Sequence, residues 1–186
     1  MAQVSNKELR KQQTRQVQMA WQEAHANVQD RLQRLDRTLL FVIISLCLVG
    51  IGIAGYLTYV HYAHVAIVCT SGGGCEVVNN SKYAVFLGVP VALMGLGAYI
   101  TLLGLAIVRL RLNTLNSNNR RYALDTGIFL LNLGGVAFSG YLTSMEAFVI
   151  NNWCMWCVGS ASTLTILLFI NGYRLWLNYF SAAAPL

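Results

Sequence analysis

The chain has 186 residues, 56% of them hydrophobic and only 11% charged, about half the charge fraction of an ordinary soluble domain. Its formal charge of +6 comes from 13 Lys and Arg against 7 Asp and Glu. In so apolar a chain that excess points to cytoplasmic-face residues, and the charge-poor middle offers no surface for nucleic acid. The length fits one domain.

Residues 1–38 form a polar arm. Val17, Trp21, Ala24, Val28, Leu32 and Leu35 recur at spacings of three and four, which predicts an amphipathic helix. Lys7, Arg10, Lys11, Arg15, Arg31, Arg34 and Arg37 outweigh Glu8, Glu23, Asp30 and Asp36. Such a helix lies on the lipid or on a bundle at the cytoplasmic face. Alternatively it docks a protein, and so attaches the chain to a larger membrane complex. A short coiled coil is a third reading of the same stripe. No signal peptide is readable, because the first long apolar run begins only after this arm and shows no cleavage signature.

Four apolar spans are expected, at about 39–60, 89–108, 122–149 and 154–176, followed by a short tail at 179–186. The first is uncharged and long enough to cross a bilayer, which takes about 20 residues. Tyr56, Tyr59, His61, Tyr62 and His64 crowd its far end as an interface belt. Gly88-Val89-Pro90 opens the second span, with Pro90 suited to the first helical turn. Gly95, Gly97 and Gly104 in the second span, and Gly134, Gly135 and Gly140 in the third, allow close helix packing. Arg109, Arg111, Arg120 and Arg121 bracket an Asn-rich turn and place it in the cytoplasm, with both termini on that side. The expected fold is therefore an all-α membrane protein, a four-helix bundle in the inner membrane with an outer loop containing a short helix over Val77 to Phe86.

This topology puts Cys69, Cys75, Cys154 and Cys157 at one outer face, in the periplasm or a lumen, where disulfides persist. Cys154 and Cys157, separated by Met155 and Trp156, open the last span. A helix N-terminus lowers the pKa of an exposed thiol, and a disulfide across so small a loop constrains little as a staple. Gly72, Gly73 and Gly74 make the chain between Cys69 and Cys75 pliable, so that this pair can close on itself or reach another sulfur. The whole reads as a dithiol relay. The competing readings are four structural cysteines and an all-thiolate zinc site, the latter disfavoured by the loose spacing of Cys69 and Cys75. No other metal site is expected. Cys47, mid-span, reads as a small buried hydrophobe. A relay ending in lipid needs a membrane-embedded acceptor, and a quinone (ubiquinone or menaquinone) fits. Trp153, Trp156, Tyr83 and Phe86 are the aromatics near it, and Asn79, Asn80 and Ser81 the nearest polar groups. Each also has a plainer reading as packing, turn or cap. Glu146 reads as a solvated end-of-helix charge or, less simply, a proton relay.

With these residues in order, the chain resembles the vitamin K epoxide reductase family in its bacterial form. The likeness covers about 39–178 and rests on the spans, on Cys69 with Cys75, and on Ser81 with Tyr83-Ala84. It rests also on Gly88-Val89-Pro90 leading to Gly95, and on Cys154-Met155-Trp156-Cys157. The resemblance implies a quinone reductase that reoxidises a thiol partner during disulfide formation. It implies that Cys157 faces the quinone, Cys154 exchanges with Cys75, and Cys69 exchanges with a thioredoxin-like partner. Ser81, Tyr83, Phe86, Asn80 and Trp156 are then the candidate quinone contacts. Animal relatives carry a Tyr where this chain has Ala161, so simple quinone reduction is expected rather than epoxide reduction. Many bacterial relatives carry a fused thioredoxin-like domain, and here a separate partner is expected. The other class is a structural subunit that keeps the bundle with two inert disulfides.

Overall fold

The computed structural model describes residues 2–69, 74–112 and 118–183. Gly72 and Gly73, the Asn-rich turn at 113–117 and the end of the tail at 184–186 lie outside them. Helix α1 covers Ala2–Ala63, α2 Gly74–Asn79, α3 Val91–Leu112, α4 Asn118–Met145 and α5 Met155–Ala183. The chain divides into two compact units, Met1–Thr38 and Leu39–Leu186.

In the first unit the arm is helical, and its apolar stripe is open: Val17, Trp21 and Val28 are all more than half exposed. Two exposed ion pairs, Lys11 with Glu8 at 2.8 Å and Arg34 with Asp30 at 2.9 Å, brace its surface. Each contributes a few tenths of a kcal/mol at most.

In the second unit four stretches of the described residues are long and apolar enough to cross a membrane. They end α1 and cover Val91–Arg111, Arg121–Ile150 and Met155–Tyr179. One periodicity organises all four. Buried positions step by three and four along α1 (Leu40, Ile43, Cys47, Ala54, Leu57), α3 (Tyr99, Leu102, Ala106, Arg109), α4 (Asp125, Ile128, Asn132) and α5 (Leu164, Leu167, Asn171, Arg174). Such a stripe turns one face of each helix inward, the geometry of a bundle. Outward positions are large and apolar, with Phe169 72% and Leu130 59% exposed. This inside-out distribution suits a lipid surround, and the fold is an all-α membrane bundle.

The inward stripes of α3, α4 and α5 end in charges that meet. Arg109 Nε donates to both oxygens of Asp125, at 2.9 and 3.1 Å, and Arg174 lies 3.5 Å from the same carboxylate. Asn178 Nδ2 donates to Asp125 at 3.1 Å, and the Tyr122 hydroxyl donates to the Asn178 carbonyl at 3.0 Å. Higher in the bundle, α1 approaches α3 where Gly50 meets the Tyr99 ring, so closely that any Cβ at Gly50 would collide with it.

At the opposite, cysteine-bearing end the loop departs from expectation. The helix expected over Val77 to Phe86 lies earlier and is shorter, as α2. A 3-10 turn at Lys82–Ala84 follows, then a hairpin of β1 (Val85–Phe86) and β2 (Val89–Pro90), paired antiparallel. Leu87 and Gly88, at φ of 52° and 82°, supply the two left-handed residues that a tight hairpin turn requires. Pro90 thus ends β2 and stands just before α3, rather than inside its first turn.

Candidate active site

Cys154 immediately precedes α5 and caps it. Its carbonyl accepts the Val158 N–H at 3.0 Å, and its Sγ accepts the Cys157 N–H at 3.4 Å. This is the place usually filled by a Ser, Thr or Asp oxygen. The positive end of the helix favours a thiolate there. The Cys157 thiol, hydrogen-bonded to the Cys154 sulfur, lowers the pKa of Cys154. Backbone N–H groups of Cys157 and Trp156 add to this, while burial and the neighbouring Glu146 carboxyl oppose it without prevailing.

The loop pair is a disulfide, Cys69–Cys75, with Cα atoms 6.2 Å apart. Cys154 and Cys157 are free thiols. The two pairs share one packing cluster. Cys75 and Cys154 are buried at its centre with Val78, and Cys69, Cys157 and Trp156 pack around them. Cys69 is only half-buried. The close approach depends on Gly74. A Cβ there would sit 2.7 Å from the Trp153 carbonyl oxygen, so only glycine lets α2 lie this near the segment carrying Cys154.

Three contacts hold the strand leading to Cys69. The Val68 N–H donates to the Tyr56 hydroxyl at 3.0 Å, the Trp156 Nε1–H donates to the Val68 carbonyl at 2.9 Å, and the Tyr56 and Trp156 rings lie 5.0 Å apart. α1 and α5 therefore grip both polar groups of the residue before Cys69.

A cavity of about 260 Å³ opens beneath the cysteines, with both Cys154 and Cys157 in its wall. Its sides are mostly apolar, from α1, α3 and α4. Tyr99 and Ser160 tie α3 to α5 in its lining, the tyrosine hydroxyl meeting the Ser160 carbonyl at 3.0 Å and its hydroxyl at 3.1 Å. Of the expected ring contacts, Ser81 and Tyr83 line it, as does Asn79. Asn80, Phe86 and Trp156 lie off the lining. Asn80 is exposed in the turn after α2. Phe86 is exposed on the hairpin, its ring 5.6 Å from that of Phe138, a wall residue. Trp156 is committed to Val68 and Tyr56. The Ser81 hydroxyl itself donates to the Val78 carbonyl at 2.7 Å, which leaves its lone pairs as acceptors.

Glu146 is the residue the sequence undervalued. It is 3% exposed, not solvated. It begins a π-helical turn, Glu146–Ile150, closed by Asn151 in the left-handed conformation. Its Oε2 accepts the Cys154 N–H at 3.2 Å, and it lines the cavity together with Cys157. The signal was available: Glu146 continues the three-four stripe that begins at Asp125.

Among the described residues no group of three or more His, Cys, Asp or Glu side chains is placed to hold a metal ion. A family model, described as the Vitamin K epoxide reductase family, matches residues 41–171, which takes in both cysteine pairs and most of the four spans, and the chain belongs to that family.

Proposed function

We propose that this protein is a quinone-linked thiol oxidoreductase of disulfide formation. Members of its family are oxidoreductases. One observation carries the finer reading: the Cys154/Cys157 dithiol packs against the Cys69–Cys75 disulfide and also forms part of the wall of the apolar cavity. That is the arrangement of a two-step relay.

The residues present suit a quinone. The cavity is near the lower end of the roughly 300–1,000 Å³ usual for ligand pockets, which suits a ring head. Its wall is apolar, with Asn79, Ser81 and Tyr83 as polar groups to orient ring oxygens. When bound, a quinone accepts two electrons and two protons. Cys69, half-buried, takes the incoming exchange with a separate thioredoxin-like partner. Reduced Cys75 then attacks Cys154 in the oxidised Cys154–Cys157 pair, and Cys154, whose capped position favours its thiolate, leaves when Cys69 closes on Cys75. Cys157, deeper on α5, is the cysteine next to the acceptor. The cysteine end faces the periplasm or a lumen and the arginine end the cytoplasm, in the inner membrane, with both termini cytoplasmic. Ubiquinone and menaquinone are the candidate acceptors. The arm's open stripe at Val17, Trp21 and Val28 is the surface for attachment to a larger membrane complex.

The order of entry is tested by trapping. In Cys75→Ser protein the partner is expected as a mixed disulfide on Cys69, seen by non-reducing electrophoresis and mass spectrometry. Capture instead on Cys75 in Cys69→Ser protein would reverse the assigned order.

A further inference from the structure

Glu146 has no part in thiol exchange itself, yet the fold devotes a π-helical turn and a left-handed residue to placing it. An inserted residue in a helix re-aims the side chains around it and is often found at functional sites. Here the carboxyl is buried on the inward stripe of α4, and its surroundings are specific. One oxygen accepts the Cys154 N–H at 3.2 Å, which anchors the carboxyl three residues before Cys157, where α5 begins. The same carboxyl forms part of the cavity wall with both cysteines. Other titratable groups on that wall are His61, Tyr83 and Tyr99, and Glu76 on α2 is exposed. Glu146 is therefore the one carboxyl among the described cavity-lining residues, and it shares that wall with both thiols.

We propose that Glu146 is a catalytic residue, the proton acceptor for Cys157 and the proton donor to the electron acceptor in the cavity. This inference rests on the quinone-reduction reading above. Oxidation of the dithiol breaks two S–H bonds, forms the Cys154–Cys157 S–S bond and releases two electrons and two protons. The Cys154 proton leaves first to water at the cysteine end, because that thiol ionises more readily. Glu146 takes the second proton from Cys157 Sγ and hands it to one ring oxygen of a quinone. The quinone gains both electrons, and its other oxygen takes a proton from water. Thiols and quinone become disulfide and quinol, with atoms and electrons balanced. A buried carboxylate suits this step because it carries a proton through a region that excludes water.

The test uses full-length, detergent-solubilised protein, reduced and mixed with a water-soluble ubiquinone analogue. Glu146→Gln keeps an oxygen to accept the Cys154 N–H but cannot take the proton. Quinone reduction in a single turnover is expected to fall by about 10²–10⁴-fold, the usual worth of a positioned acid or base. Exchange between the two cysteine pairs, followed by alkylation and mass spectrometry, is expected to persist. Undiminished quinone reduction in Glu146→Gln overturns the inference, as does parallel loss of exchange and quinone reduction, which marks a purely structural role. A second measurement needs no variant. Time-resolved infrared spectroscopy of wild-type turnover is expected to show a carboxyl that gains and then loses a proton, and a trace without one overturns the inference. Wild-type protein that reduces no quinone fails the underlying reading itself, whereas normal wild-type turnover matched by Glu146→Gln fails this inference alone.

Discussion

Gly74→Ala tests how the two cysteine pairs meet. The added Cβ would stand 2.7 Å from the Trp153 carbonyl oxygen and 3.4 Å from the Trp153 nitrogen. Both are backbone atoms, so no side chain can swing aside. An ordinary carbon–oxygen contact is about 3.3 Å, so α2 must retreat by roughly 0.6 Å. Overpacking of this kind costs about 1–3 kcal/mol. Alanine offsets roughly 0.4–1 kcal/mol of that by restricting the unfolded chain. The kinetic effect is larger. A misplacement near 1 Å costs on the order of 10²-fold where reacting atoms must align, so the retreat of α2 is worth about tenfold. The assay uses a Cys69→Ser, Cys157→Ser background, which leaves Cys75 and Cys154 to join under mild oxidation. Non-reducing peptide mapping follows their crosslink. Gly74→Ala is expected to slow it about tenfold. An equal rate in parent and variant would refute the claim that Gly74 sets the approach of Cys75 to Cys154.

Three further outcomes follow from the same geometry. Trp156→Phe removes the donor to the Val68 carbonyl, a loss of about 1 kcal/mol, and hydrogen exchange over residues 65–69 is expected to quicken; unchanged protection there contradicts the clamp. In reduced protein the lowered pKa of Cys154 keeps its thiolate populated as pH falls below about 8.5, the ordinary thiol value. Its alkylation should therefore persist to lower pH, and Cys157→Ala should move the alkylation midpoint upward. An unmoved midpoint excludes Cys157 as the cause. Asp125→Asn deprives Arg109 and Arg174 of their buried counter-charge and is expected to cost about 3–5 kcal/mol, read as a lower Tm in detergent.

Much of the bundle was legible because lipid imposes simple rules. Uninterrupted apolar runs and flanking arginines mark spans, and the CxxC opening of α5 is a local signal. The loop was less legible. Its hairpin depends on Leu87 adopting a left-handed conformation, which local propensity disfavours, and on two-residue strands too short to show alternation. Placement near the outer face cannot tell that Trp156 turns toward Val68 while Asn79 lines the cavity. The aromatic run at the end of the first span looks like an interface belt, yet the Tyr56 hydroxyl reaches across to accept the Val68 N–H. Glu146 was judged by its position at a span's end. The inward stripe of α4 from Asp125 is the better guide to its burial, and the π-helical turn and the contact with Cys154 are visible only in the fold. Gly74 looked like a source of pliability, whereas in the fold it is a point of backbone contact.

The central claim is that electrons leave through Cys157 to a membrane quinone. The most direct measurement is quinone reduction by purified, reduced protein, followed by the absorbance of ubiquinone or menaquinone, with Cys157→Ala alongside. The account predicts turnover in the wild type and none in the variant. Absence of turnover with either quinone, while Cys154 and Cys157 remain reducible, would contradict it and leave a structural subunit of a membrane complex as the better description.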